Sequence, residues 1–156
     1  MITSVCGSKT KAVCYTETMI SSNFVLWGND EFIIKTPFNP HTSYEEGLHI
    51  IVTTQTEYKT AWDDPTISGR TFELATKASK IIVEKGLAPW LNLQANGNWG
   101  LLPNASTFFH IHIYGRNKTD AWGKPITLPE LPGTYEHEPM PESDRSILIE
   151  AFKQLN

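Results

Sequence analysis

The segment FFHIHIYGR, residues 108–116, constrains the fold more than any other part of the chain. Apolar residues recur through it with the period of a β-strand, in which residues two apart share a face. His110 and His112 therefore project together, with backbones roughly 6.5–7 Å apart, while Phe109, Ile111 and Ile113 fill the opposite face. Burial of that apolar face makes the strand rigid. The plain alternative is two surface histidines on a half-buried strand, so the surroundings of the strand decide between them.

At 156 residues the chain suits one domain with a substantial core. No run approaches the ~18 apolar residues of a membrane span, and MITSVCGSKTKAVCYTET lacks the apolar core of a secretory signal. Cys6 and Cys14 have no CxxC spacing and read as free thiols in a reducing cytosol. Without a secretion signal, the glycosylation patterns at Asn104 and Asn117 carry no weight. The net charge is −4 and the basic residues are scattered, which argues against a nucleic-acid surface but leaves room for a small anionic ligand.

Along the chain, NFVLW, a Gly28-Asn29-Asp30 turn and EFIIK predict a β-hairpin over 23–36. The proline-rich TPFNPHTSYEEG that follows is neither helix nor central strand, and LHIIVTT, 48–54, is a third strand. Asp64 at the N-cap and Pro65 at N1 open a helix with the stripe Ile67, Thr71, Leu74, Ala75, Ala78, Ile81 and Ile82, ended by Gly86. LNLQANG, 91–97, is a fourth strand. Ser143 is the expected cap of a last helix whose apolar side is Ile147, Leu148, Ala151, Phe152 and Leu155. The sum is an α+β domain, a mainly antiparallel sheet of about five strands with one long packed helix and a C-terminal helical extension. Residues 1–22 form an N-terminal segment, 23–116 the domain, and 117–156 the extension.

This order of hairpin, strand, helix, strand and HxH strand resembles the histidine triad (HIT) superfamily of nucleotide hydrolases and transferases. The family signature is H-φ-H-φ-H-φ-φ, and Phe108-Phe109-His110-Ile111-His112-Ile113-Tyr114 matches it with Phe108 in place of the first histidine. Gly47-Leu48-His49 stands where family members lead into the third strand with P-G-H or P-T-H. QANGNWG stands where they have an Asn-rich turn, with Asn96 one residue further from His110 than the family spacing. The resemblance implies that His110 attacks the α-phosphorus of a nucleotide to form a nucleotidyl-histidine, resolved by water or another acceptor. It implies that His112 holds phosphate oxygens or manages the leaving-group proton. It further implies that His49, Asn96, Ser106 and Thr107 contact or orient the substrate, which is a dinucleoside polyphosphate or nucleoside phosphoramidate. No cofactor or protein-bound metal is required, with Mg²⁺ allowed as companion of a polyphosphate. The implied partners are a nucleotide and a second copy of the chain in a homodimer, with neither nucleic acid nor membrane, in the cytoplasm.

A second register, with TFFH as lead-in, would make His112 the nucleophile and Tyr114 the third position. Two other readings stand beside the enzyme. One is a nucleotide-binding module impaired by Phe108. The other is a metal-binding HxH strand, disfavoured because no acid follows until Asp120 and Arg116 would repel a cation. His41 and His137 lie in Pro/Glu-rich loops and are expected in solvent. The five tryptophans, Trp27, Trp62, Trp90, Trp99 and Trp122, are expected in the core, Trp27 or Trp99 being the candidate to stack on a base.

Overall fold

The computed structural model describes residues 23–97, 100, 107–117 and 135–155. Cys6, Cys14, Trp99, Ser106 and Trp122 lie outside the described residues, as do the segment 1–22 and most of 117–134. The elements in chain order are β1 (Asn23–Gly28), β2 (Phe32–Pro37), β3 (His49–Thr54), α1 (Pro65–Glu84), β4 (Trp90–Gln94), β5 (His110–Arg116) and α2 (Glu142–Phe152). The strands form one sheet in the order β1-β2-β3-β5-β4, antiparallel at every pairing.

Strand alternation divides this sheet into two unlike faces. On one, Ile34, Ile50, Val52, Ile111 and Ile113 are fully enclosed and meet Leu74, Ala75, Ala78, Ile81 and Ile82 of α1, with Leu148 and Phe152 of α2 completing the core. Each large aliphatic side chain so buried contributes about 2 kcal/mol. The opposite face carries Lys35, Ile51, His112 and Gln94 in one cross-strand row, with His49, Tyr114 and Asn92 beside it. Chemistry is thus confined to the face that the helices do not cover.

Local signals explain the element ends. The Asn29 side chain accepts from the N–H groups of Glu31 and Phe32 at 2.9 and 2.8 Å, which closes the β1–β2 turn. Asp64 accepts from Thr66 and Ile67 at 3.0 and 3.1 Å to cap α1. Gly86 leaves the helix at φ 71°, a region open to glycine. β2 runs on through Pro37, beyond its last pair with β3, where the missing N–H breaks no ladder bond. β4 stops at Gln94 rather than 97, so Asn96 lies past the strand.

Three expectations are corrected. Ser143 does not cap α2: the chain enters through extended Pro141, and Glu142 and Asp144 in the first turn complement the helix dipole instead. Ile147 faces solvent. Trp62 and Trp90 are 79% and 70% exposed, because one precedes the α1 cap in a turn and the other opens the edge strand β4; only Trp27 among the described tryptophans packs against the core. Among the described residues, no helix is long and apolar enough to cross a membrane.

Gly47 and Gly115 permit the close approach that brings His49 to β5. Gly115 N–H donates to the Leu48 carbonyl at 2.8 Å, and a Cβ on Gly47 would lie 2.0 Å from the Gly115 oxygen. Backbone cannot yield as a side chain can. Gly47→Ala is expected to lower stability by roughly 2–3 kcal/mol, read as a fall in the urea midpoint. A variant that unfolds like the wild type would show that this approach is dispensable.

Candidate functional site

β3 and β5 pair so that His49 lies opposite Tyr114 and Thr53 opposite His110, on the face away from the helices. His49 and His112 are buried and His110 half-buried. His49 Nε2 stands 2.8 Å from His112 Nδ1, and His112 Nε2 stands 2.9 Å from His110 Nε2. His110 Nδ1 lies 2.9 Å from the Phe108 carbonyl. At the other end, the His41 N–H donates to His49 Nδ1 at 3.1 Å.

These contacts allow one tautomer assignment for neutral rings. The Phe108 carbonyl only accepts, so His110 carries its proton on Nδ1 and offers a lone pair at Nε2. His112 therefore donates from Nε2 and accepts at Nδ1, and His49 donates from Nε2 and accepts at Nδ1 from the His41 amide. Every donor points the same way, from the loop amide to the Phe108 carbonyl. Burial favours the neutral rings: it takes His112 down to about 2, and His110, His49 and His41 shift down for the same first reason. Neighbouring imidazoles add to the effect on His41, His49 and His112, while Lys35 adds to it on His110. The arrangement leaves a neutral, oriented imidazole at His110, suited to nucleophilic attack near neutral pH.

Phe108 retains a place in the site without a polar side chain. Its carbonyl fixes the His110 tautomer, and its ring lies 4.6 Å from that of His110. Thr107 turns its methyl toward Gly100, and Asn96 reaches the site through Gln94, to which its amide donates at 3.3 Å. Gln94 pairs with His112 across the β4–β5 ladder.

His41 is not in solvent. Its ring lies tilted against that of His49 with centroids 4.3 Å apart, and its Nδ1 lies 2.6 Å from the Tyr114 hydroxyl, whose ionisation burial pushes up. The loop that carries it is held from the far end of the chain. Asn39 donates to the Tyr135 carbonyl at 2.8 Å and accepts from the His137 N–H at 2.9 Å, while the Tyr44 hydroxyl donates to Asp144. His137, also expected in solvent, is half-buried there. Spacing gives no sign of His41, which sits in an irregular loop. Tyr114, two residues beyond His112, continues the same face and was open to that reading.

Among the described residues, His41, His49 and His112 form a group that could hold a metal, their donor atoms lying within 4.8 Å of one another. An ion there would have to replace the His49–His112 hydrogen bond, since ligand nitrogens around tetrahedral zinc stand about 3.3 Å apart.

No protein-family model matches the sequence, and no curated protein sequence matches it. Solved structures do share the fold. A zinc-bound histidine triad family protein from Mycobacterium smegmatis superimposes with a TM-score of 0.64 at 18% identity, over 92% of this chain and 93% of that one. A histidine triad protein from Marinobacter aquaeolei gives 0.63 at 16% identity, over 90% and 96%. A hypothetical histidine triad nucleotide-binding protein from Sulfolobus tokodaii gives 0.61 at 14% identity, over 91% of each.

The neutral histidine chain makes stability acid-sensitive in a defined window. Unfolded histidines titrate near 6.5, whereas in the fold His41 titrates at about 4 and His112 at about 2. Depressed folded values mean that the contribution is fully present above pH ~6.5 and is lost as pH falls toward the folded values. Each neutral histidine gives a slope of about 1.4 kcal/mol per pH unit in that window. Urea midpoints are expected to fall steeply between about pH 7 and pH 5, and less steeply in His41→Phe. A flat profile would contradict the neutral chain.

Proposed function

We propose that this chain, which has the fold of the histidine triad proteins, is a nucleotide hydrolase or nucleotidyl transferase working through a nucleotidyl-histidine on His110. The observation that carries the reading is the His110 Nδ1–Phe108 carbonyl bond, which leaves Nε2 as the lone-pair nitrogen next to His112. It also favours His110 over His112 as nucleophile, since the His112 lone pair at Nδ1 is held by the buried His49, whereas the His110 lone pair accepts only from His112, which swings to the leaving group in the attack.

In the first step the Nε2 lone pair of His110 forms a bond to the α-phosphorus, and the bond to the leaving group breaks with its electron pair. His112 Nε2–H turns from His110 to the leaving atom: it hydrogen-bonds the departing phosphate oxygen of a polyphosphate, or gives its proton to the departing nitrogen of a phosphoramidate and is reprotonated from solvent. Nδ1–H stays on the Phe108 carbonyl, so the intermediate is an imidazolium phosphoramidate, in which neutral imidazole is a good leaving group. Water or another acceptor then attacks phosphorus, the P–N bond returns its electrons to Nε2, and the acceptor's proton passes to solvent. Phe108 suffices in this cycle because its carbonyl, not its side chain, holds the proton. Asn96, Ser106 and Thr107 are assigned to the phosphate oxygens, and His49 to orienting His112.

The substrate class is a dinucleoside polyphosphate or nucleoside phosphoramidate. The cycle needs no resident metal, and Mg²⁺ enters only with a polyphosphate. We place the protein in the cytoplasm as a homodimer joined at the edge strand β4, where the exposed Trp90 offers apolar area.

His110→Ala is expected to lower turnover of an adenosine phosphoramidate or diadenosine polyphosphate at least about 10³-fold, with the fold intact by circular dichroism. His112→Ala is expected to lower it by about 10²-fold. Activity on the phosphoramidate should survive prior treatment with a chelator. A dead His112→Ala beside an active His110→Ala selects the other register, and a wild type that binds nucleotide without turnover selects the binding module. For the dimer, light scattering at micromolar concentration should give twice the 17.6 kDa chain mass; a single-chain particle removes it.

A further inference from the structure

Lys35 is a cation in an unusual place. It lies in β2 opposite Ile51, and Ile51 lies opposite His112, so its side chain shares the histidine face two strands away. It is only 9% exposed. Among the described residues no carboxylate pairs with it and no hydrogen bond holds its amine. Its one polar contact is the Phe108 ring, 5.6 Å from Nζ, and that ring rests on His110. The groups around it on the same face are Val25, Ile33, Ile51, Thr53 and the site histidines, and the Thr53 hydroxyl already donates to the Phe109 carbonyl. The lysine amine is not fully enclosed and keeps a narrow opening to solvent.

An ammonium removed from water without a counter-charge is disfavoured by several kcal/mol, and a methionine or leucine would suit the position better for stability alone. Burial accordingly shifts Lys35 down, and its charge in turn disfavours protonation of His110. A cation with a small opening, beside a neutral nucleophile, meets the need of an anion that arrives with the ligand. In a low-dielectric setting such a contact is stronger than at a surface, and it strengthens as charge builds on phosphate oxygens in attack.

We propose that Lys35 is a phosphate-binding residue of this site, its ammonium holding a non-bridging oxygen of a phosphate seated next to His110. The inference rests on the reading of His110 as the atom that attacks phosphorus, and deepens it by naming a cation that holds that group. Lys35 sets selectivity for the more highly charged phosphate.

Binding of inorganic phosphate to the purified full chain, followed by isothermal titration calorimetry, tests this without requiring turnover. Lys35→Met should weaken phosphate binding about 10- to 100-fold, Lys35→Arg should restore most of it, and the thermal midpoint of Lys35→Met should equal or exceed that of the wild type. With a nucleotide substrate, the KM of Lys35→Met should rise. Unchanged phosphate affinity in Lys35→Met overturns the proposal. So does a lower midpoint with equal loss in the arginine variant, which marks a packing role. Phosphate binding that depends on Lys35 in a protein without turnover would sustain this inference while removing the catalytic reading.

Discussion

The pairing of β3 with β5, from His49↔Tyr114 to Thr53↔His110, fixes both faces of the sheet at once. Ile50, Val52, Ile111 and Ile113 are sealed under the helices only because their neighbours in sequence point the other way. A slip of one residue would drive imidazoles into an aliphatic core and expose the isoleucines. The core therefore enforces the geometry of the site. Gly47 and Gly115 extend that control past the end of β3, since their contact aligns His49 with the strand that carries its partners.

Buried polar groups at this density are tolerated because nearly every one has a partner. Four ring–ring or ring–backbone bonds run in one direction from the His41 amide to the Phe108 carbonyl. Protonation of any ring would set two donors against each other, a conflict added to the desolvation of the charge. Neutrality is thus a property of the whole chain of rings rather than of one histidine. Lys35 stands outside that chain as the charge that the network does not neutralise.

Much of the fold was legible because its signals are local. Alternation marked β5, Asp64-Pro65 and Gly86 marked both ends of α1, and the hairpin residues marked the first turn. The HxH spacing placed His110 and His112 on one face, and the β3–β5 register brings His49 to the same face. His41 was not legible: an irregular loop has no period, and the bonds that hold it come from residues 135–144. Lys35 carries no signal in the sequence, since only the sheet order shows which side chains flank it. The tryptophans misled for a related reason, because a bulky apolar side chain at a turn or on an edge strand has nothing above it to pack against.

The Asn39 amide bridges to residues near position 136, almost a hundred positions along the chain. Contacts of such separation form late, after local hairpins and helices, because their closure entropy is lost before they give anything back. On the ribosome, β1, β2 and β3 can pair while the loop bearing His41 still lacks its clasp. The imidazole roof is then set only when residues 135–144 have emerged to hold it.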